Sequence, residues 1–345
     1  MSLGDIFRLA EEKGASDVHL VVGSPPILRI DGDLQSVPKG KDIAATEMEA
    51  FVFGLLSKLQ KERFLAEREL DFAHATESGA RFRVNIHWEK EVIGLAARLI
   101  PQRIPTMEEV GMPEIVYEMT RMPHGLILLT GPAGSGKSTS LAAMVNLINE
   151  ERAANIITLE DPIEFLFTPK KSLFRQRQIG MDSLSFANGL RHVLRQDPDC
   201  VMVGEMRDLE TIATTLTLAE TGHLVLATLH TFSASQTIER IIDVFPPHQQ
   251  GQVRVQLATT LRGVVTQQLL PKTGGGRVAA REVLVNTPAV ANLIRDNKVV
   301  QLRTVMQTSA KSGMVTLEQD LKRLIREKSV SEKDAATLVG MERLG

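Results

Sequence analysis

The sequence predicts an α/β fold, a mostly parallel sheet covered by helices, with a smaller α+β domain ahead of it. Three observations point there. From Leu126 onward, strand-like and helix-like segments alternate, the pattern of a parallel sheet with helices on both faces. Between LILLT, the first strand of that series, and the helical SLAAMVNLI lies GPAGSGKST, Gly131 to Thr139, which fits G-x-x-x-x-G-K-[ST]. The first hundred residues carry no such alternation and read as a helix, a hairpin, a longer helix and three consecutive strands.

In chain order, DIFRLAEEKG (Asp5 to Gly14) reads as a helix closed by glycine, and ASDVHLVVG alternates like a strand. In PPILRIDGDLQSV the pair Asp31-Gly32 between two extended runs signals a tight hairpin. Glu47 to Glu67 has the apolar spacing of one amphipathic helix, and ELDFAHAT, ARFRVNIHWE and EVIGLAARLI read as strands. Residues 1–100 thus form the N-terminal domain, the proline-punctuated 101–113 a linker, and 114–345 the second domain. There the strands LILLT, NIITLE, CVMVG and HLVLATL alternate with helices after Lys137, near Phe186 to Arg195, and from Leu209. GGG at Gly274 to Gly276 is a hairpin turn, with no lysine placed for phosphate. From about Ala289 the chain is mainly helical, and Ser331 is the N-cap of a late helix.

A chain of 345 residues is long enough for two cores. No apolar run reaches the roughly 20 residues of a membrane span, so no membrane insertion is expected and the cytoplasm is the expected compartment. The lone Cys200, inside an apolar run, reads as a buried small hydrophobe and excludes both an internal disulfide and a cysteine-rich zinc cluster. A net charge of −2 gives no broad electrostatic case for nucleic acid, although a local basic patch could escape that count.

The chemistry starts at the glycine-rich loop. Gly131, Gly134 and Gly136 permit backbone conformations closed to other residues, so that the N–H groups of Gly131, Ala133, Gly134, Ser135 and Gly136, in a loop that also contains Pro132, can turn around phosphate oxygens at a helix N-terminus. Lys137 supplies a point charge for the outer phosphates of ATP, and Ser138, followed by Thr139, a hydroxyl for Mg²⁺. Hydrolysis also needs an acid to orient water, and CVMVGE places Glu205 at a strand end. NIITLED ends in Glu160 and Asp161, which could hold the metal partly through water, although Asp161 could instead only shape the turn before Pro162.

His223 and His230 bracket HLVLATL, and His230 lies just past its end, where a ring nitrogen could meet the γ-phosphate or the water. Arg81 and Arg83 share a strand face and Arg98 lies on the next strand, candidates for stabilising transition-state charge. Arg207 and Asp208 read as a local brace.

Together GPAGSGKST, ITLEDPIEF, VMVGEMRD and TGHLVLATLHT resemble the secretion ATPases of type II secretion and type IV pili. ASDVHL, PPILRIDGD, RFRVN, IERIIDVFP and GGGRVAAREVL extend the likeness through nearly the whole chain. The match is to the retraction branch, the PilT/PilU-type motors. Assembly and secretion members usually carry a longer N-terminal region and a four-cysteine zinc motif, which this chain cannot supply.

The resemblance implies a PAS-like N-terminal domain, a RecA-like P-loop NTPase core and a homo-hexameric ring with nucleotide sites between domains. It makes Gly131 to Thr139 the Walker A loop, Glu160 and Asp161 part of the aspartate box, Glu205 the Walker B acid and His230 part of the histidine box. It turns Arg81, Arg83 and Arg98 toward the nucleotide. It also implies twitching motility driven by ATP hydrolysis, an inner-membrane pilus platform protein as partner, and a second pilus motor ATPase beside it. One departure stands out: AVANLIRD, Ala289 to Asp296, replaces the family's AIRNLIRE, so Ala291 occupies an arginine's place while Arg295 remains. That sequence fits an accessory motor as well as a primary one. The rival readings are an assembly or secretion ATPase and, in another class, a nucleic-acid translocase.

Overall fold

The structure, a computed structural model, describes residues 1–30, 32–38, 40–100 and 103–342. The chain divides into two compact units, Met1–Arg103 and Ile104–Gly345.

The first unit runs α1 (Leu3–Glu12), β1 (Asp17–Leu20), β2 (Ile27–Ile30), β3 (Asp33–Ser36), α2 (Ala45–Leu55), α3 (Lys58–Glu67), β4 (Glu69–Ala75), β5 (Arg81–Glu89) and β6 (Val92–Ile100). Its six strands form one sheet in the order β3-β2-β1-β6-β5-β4, antiparallel at every pairing. Period-two alternation sends Val18, Phe82, Val84, Ile86, Leu95 and Ala97 to a buried face, where Ile6, Phe7, Met48, Val52 and Phe64 of the helices meet them. Phe7 stacks on Phe82 with ring centroids 4.4 Å apart. The β2–β3 hairpin forms with Ile30 opposite Asp33; Asp31 of its expected turn, like Pro101 of the linker, lies outside the described residues.

One expectation is corrected here. Glu47 to Glu67 is not a single helix but α2 and α3, parted where Leu56 turns extended (φ −95°, ψ 138°). The cause is a capping box: the Ser57 hydroxyl accepts the Gln60 N–H while the Gln60 side chain accepts the Ser57 N–H.

The second unit contains α4 (Glu114–Thr120), β7 (Gly125–Thr130), α5 (Lys137–Glu151), β8 (Asn155–Glu160), β9 (Leu173–Gln178), α6 (Phe186–Val193), β10 (Cys200–Val203), α7 (Leu209–Glu220), β11 (Leu224–Leu229), α8 (Ala234–Asp243), α9 (Pro247–Thr260), β12 (Leu261–Pro271), β13 (Arg277–Val285), α10 (Pro288–Arg295), α11 (Leu302–Thr308), α12 (Leu317–Arg326) and α13 (Glu332–Glu342). The sheet order is β13-β12-β7-β11-β10-β8-β9. All neighbours are parallel except β12 with β13, a hairpin closed through Gly274 to Gly276.

Successive residues of the central strands enter opposite cores, which is why these strands read as unbroken apolar runs. Leu126, Leu128, Val201, Val203, Val225 and Ala227 join one; Ile127, Leu129, Cys200, Met202, Leu224 and Leu226 join the other, with Met107 and Met112 from the segment before α4. Strand β9, LFRQRQ, was not expected: as a polar edge strand it lacks that apolar signature. Leu317, Leu321 and Leu324 of α12 pack with Leu270 and Ala280 of the β12–β13 hairpin. No helix among the described residues is long and apolar enough to cross a membrane.

Candidate active site

The strand order carries the site. β11 lies between β7 and β10, so the segments leaving the C-terminal ends of β7, β11, β10 and β8 stand in a row along one edge of the sheet, the edge where open α/β sheets bind ligands. These segments begin with Gly131, His230, Gly204-Glu205 and Asp161 respectively.

Gly131, Gly134 and Gly136 all hold positive φ, at 139°, 74° and 82°. At Gly131 space adds to the demand, because a Cβ there would sit 2.2 Å from the Gln267 carbonyl oxygen on β12. Gly136 is the N-cap of α5 and brings no side-chain acceptor to its first turn, so those N–H groups remain for an anion. Lys137 is buried, and its three donors point at the carbonyls of Gly131 (2.7 Å) and Pro132 (2.8 Å) and at His230 Nδ1 (3.4 Å). Burial pulls its ammonium below the ordinary lysine range, against the opposing pull of Glu205 and Glu164.

His230 spans the gap between cation and acid. Nε2 lies 3.2 Å from Glu205 Oε1, so the imidazole that accepts from Lys137 at Nδ1 donates from Nε2 to the carboxylate. The Glu205 carboxylate also receives Arg207 Nε at 2.7 Å. Burial alone would raise its pKa; the Arg207 hydrogen bond and the His230 contact outweigh burial and hold it below the ordinary carboxylate range. Gly204 N–H still bonds to the Leu159 carbonyl at 2.8 Å, carrying the β8–β10 pairing up to Glu205.

Glu160 and Asp161, adjacent in sequence, part company. Glu160 is 5% exposed and accepts from the Thr158 hydroxyl (2.6 Å) and the Gln176 amide (3.1 Å), and burial lifts its pKa. Asp161 is exposed, precedes a cis peptide to Pro162 and lies within the electrostatic reach of Arg207. Arg207 thus braces Glu205, whereas Asp208 caps α7 by accepting the Thr211 N–H at 2.9 Å. His223, at the opposite end of β11, bonds to the Leu218 carbonyl at 3.0 Å and stands apart from the row. Cys200 is fully buried, its thiol pushed up to about 12, and takes no part.

The three arginines lie on the first unit. Arg83 and Arg98 face each other across β5 and β6. Arg98 bonds to the buried Asp17 at 2.8 Å, Arg83 stands 3.8 Å from Asp71, and Arg81 is opposite Ile100. In the second unit, Ala291 is buried on the inner face of α10, while Arg295 is exposed and donates to Asn292.

Sequence reasoning missed Gln267. It is 1% exposed on β12, donates from Nε2 to the Ser135 carbonyl at 2.7 Å, and accepts from the Ser140 hydroxyl at 2.9 Å. It therefore joins the glycine-rich loop to the helix that follows. A polar pair inside the apolar GVVTQQLL was the available signal.

The donor set suits a nucleotide with its metal. The glycine cradle, the uncapped first turn of α5 and the buried Ser135 hydroxyl, which lacks a partner, offer donors for phosphate, and Ser138, Asp161 and Glu205 offer the hard oxygens Mg²⁺ prefers.

Comparison with known proteins agrees. Residues 102–275 match the family described as type II/IV secretion system protein. The chain is 44% identical over 335 residues to the type IV pilus retractation ATPase PilT of Pseudomonas aeruginosa, covering 97% of each. It is 39% identical to that species' type IV pilus ATPase PilU, over 97% of this chain and 88% of PilU. A crystal structure of the pilus retraction motor PilT with bound ADP superposes with a TM-score of 0.92 at 42% identity, covering 97% of this chain and 96% of that one. The chain therefore belongs to the type II/IV secretion system protein family, among the PilT/PilU-type ATPases.

Proposed function

We propose that this ATPase is a homo-hexameric ring that hydrolyses Mg²⁺-ATP to retract type IV pili, acting on an inner-membrane platform protein at the cytoplasmic base of the pilus beside a second motor ATPase. The observation that carries the reading is the row Lys137–His230–Glu205, with both ring nitrogens of His230 engaged.

Lys137 and the loop amides from Gly131 to Thr139 bind and orient the phosphates. In exchanging the Gly131 and Pro132 carbonyls for phosphate oxygens, the lysine trades neutral acceptors for charged ones, a stronger bond. Ser138 and Asp161 would hold the Mg²⁺, which when bound would neutralise phosphate charge. Glu205, kept ionised by Arg207 and His230, orients the attacking water and accepts its hydrogen bond. His230 reports the occupant of the loop to Glu205, because one ring touches both. Glu160, buried and bonded to Thr158 and Gln176, holds the end of β8 under Asp161. Arg81, Arg83 and Arg98 are the cations proposed to answer the γ-phosphate charge, from this subunit or a neighbour, and loss of that charge on hydrolysis would drive domain rotation.

The test is Glu205→Gln in the purified protein. ATP should still bind and turnover should fall by ~10²- to 10⁴-fold, the scale for losing a general base. Turnover like that of the parent would overturn the assignment. The motor reading is tested by expressing the chain in a strain lacking its retraction motor: twitching restored by the parent chain and not by Glu205→Gln supports it, and absence of rescue even with the strain's second motor supplied counts against it.

A further inference from the structure

Arg281 occupies an unusual place for an arginine. It is 3% exposed, lies on β13 directly opposite Gln267 of β12, and points its guanidinium at neutral acceptors. Nε donates to Gln267 Oε1 at 3.3 Å, Nη1 to the Gly111 carbonyl at 2.8 Å, and Nη2 to the Val110 carbonyl at 2.7 Å and the Ser140 hydroxyl at 3.5 Å. Burying a guanidinium against such partners is costly, and burial draws its pKa down to about 10, which still leaves it charged at neutral pH. The main-chain N–H of Arg281 bonds to Asp320 Oδ2 at 2.8 Å, and Asp320 is held in turn by Arg323 on α12.

The acceptor that Arg281 shares is the one that matters. Gln267 Oε1 takes hydrogen bonds from both Arg281 and Ser140, which fixes the amide's orientation: oxygen toward Arg281, nitrogen toward the loop. With that orientation set, Nε2 is aimed at the Ser135 carbonyl. A flipped amide would face the guanidinium with its NH₂ group and the Ser135 carbonyl with its oxygen, two unfavourable contacts at a buried position, while the Ser140 hydroxyl could accept either way.

We infer that Arg281 is a positioning residue for the ATPase reaction: through its guanidinium and Gln267 it locks the phosphate loop from behind. This rests on the proposed reading of Gly131 to Thr139 as the phosphate loop, and the two can fail separately. A parent protein that binds no nucleotide would defeat the proposed function, whereas a parent that binds nucleotide with variants unaffected would defeat only the inference.

Arg281→Met keeps the stem and removes every guanidinium bond. It should raise the KM for ATP and the Kd for ADP about tenfold, equivalent to about 1.4 kcal/mol. The rate at saturation should change far less, because the displaced loop still closes on bound phosphate. Amide hydrogen exchange across residues 131–136 of the nucleotide-free protein should quicken, a change that a role confined to holding residues 110 and 111 would not produce. Gln267→Met should reproduce both effects, and the double variant should be no worse than the poorer single one, since the two residues act in series. Should Arg281→Met fail to fold, Gln267→Met and Arg281→Lys carry the same comparison. Unchanged KM and loop exchange in folded variants, or effects of the two substitutions that multiply, would overturn the inference.

Discussion

Arg207 Nε and Glu205 Oε1 lie 2.7 Å apart, two residues from each other at the end of β10. The contact decides the charge state of the acid. Burial favours the neutral carboxyl, and the Arg207 and His230 contacts reverse that preference. Because the depressed pKa keeps Glu205 ionised as pH falls, the acid limb of the hydrolysis profile should lie below the ordinary glutamate value of 4.5 or be hidden by unfolding. Arg207→Gln removes the largest lowering interaction and leaves burial opposed by His230 alone, so the limb should move to higher pH. Steady-state rates from pH 4.5 to 8 check this. An unmoved limb would mean that Arg207 does not set the ionisation of Glu205.

Lys137→Met tests the other end of the row. Methionine keeps the buried stem and removes the three donors now directed at Gly131, Pro132 and His230. A hydrogen bond to a charged partner contributes about 1.5–3 kcal/mol, so nucleotide should bind about 10- to 150-fold more weakly. Thermal unfolding with and without ADP reads it directly: the variant should lose up to about 1.5–3 kcal/mol of the stabilisation that millimolar ADP gives the parent. Equal stabilisation of both would remove Lys137 from the phosphate contacts.

Glu160 makes a prediction about stability. Burial raises its pKa in the folded state although Thr158 and Gln176 both donate to it. A carboxyl whose folded pKa exceeds its unfolded one adds stability that is fully present below the unfolded value and is lost as pH rises through the folded value. The parent should therefore lose stability between mildly acidic and neutral pH relative to Glu160→Gln, which cannot ionise. Melting temperatures of the pair from pH 5 to 8 should diverge in the variant's favour by a few degrees, about 2–4 °C for each kcal/mol involved. Curves that stay parallel would show that Glu160 ionises as readily folded as unfolded.

The parts of the site that were legible in the sequence are those whose chemistry is contiguous. Gly131 to Thr139 carries its glycines, lysine and hydroxyl within one turn, and Glu205 and His230 each follow an apolar strand directly. Their mutual contact was not legible. It depends on β11 lying between β7 and β10, and apolar patterning identifies strands without ordering them. Gln267 and Arg281 were hidden for a related reason: they meet only through the β12–β13 register, and no motif spacing records a cross-strand pair. The division of α2 from α3 differs, since Ser57-x-x-Gln60 is itself a local capping signal that the apolar spacing overshadowed.

The glycines of the loop can be ranked by physical cost. Gly134 has φ 74° with open space where a Cβ would go, so Gly134→Ala should add only left-handed strain of roughly 1–2 kcal/mol. Gly131 has φ 139°, and its Cβ would stand 2.2 Å from the Gln267 carbonyl oxygen and 2.8 Å from Ser135 Oγ. The serine hydroxyl can rotate away, but the carbonyl belongs to β12, which is held by β7 on one side and β13 on the other. In Gly131→Ala the loop must therefore move, adding an overpacking cost of about 1–3 kcal/mol to the backbone strain. Moving it also separates Ser135 from Gln267. Without nucleotide, Gly131→Ala should melt several degrees below Gly134→Ala, and only its loop amides should lose protection from hydrogen exchange. If the two variants melt together, the close approach of Gly131 to β12 is not what shapes the loop.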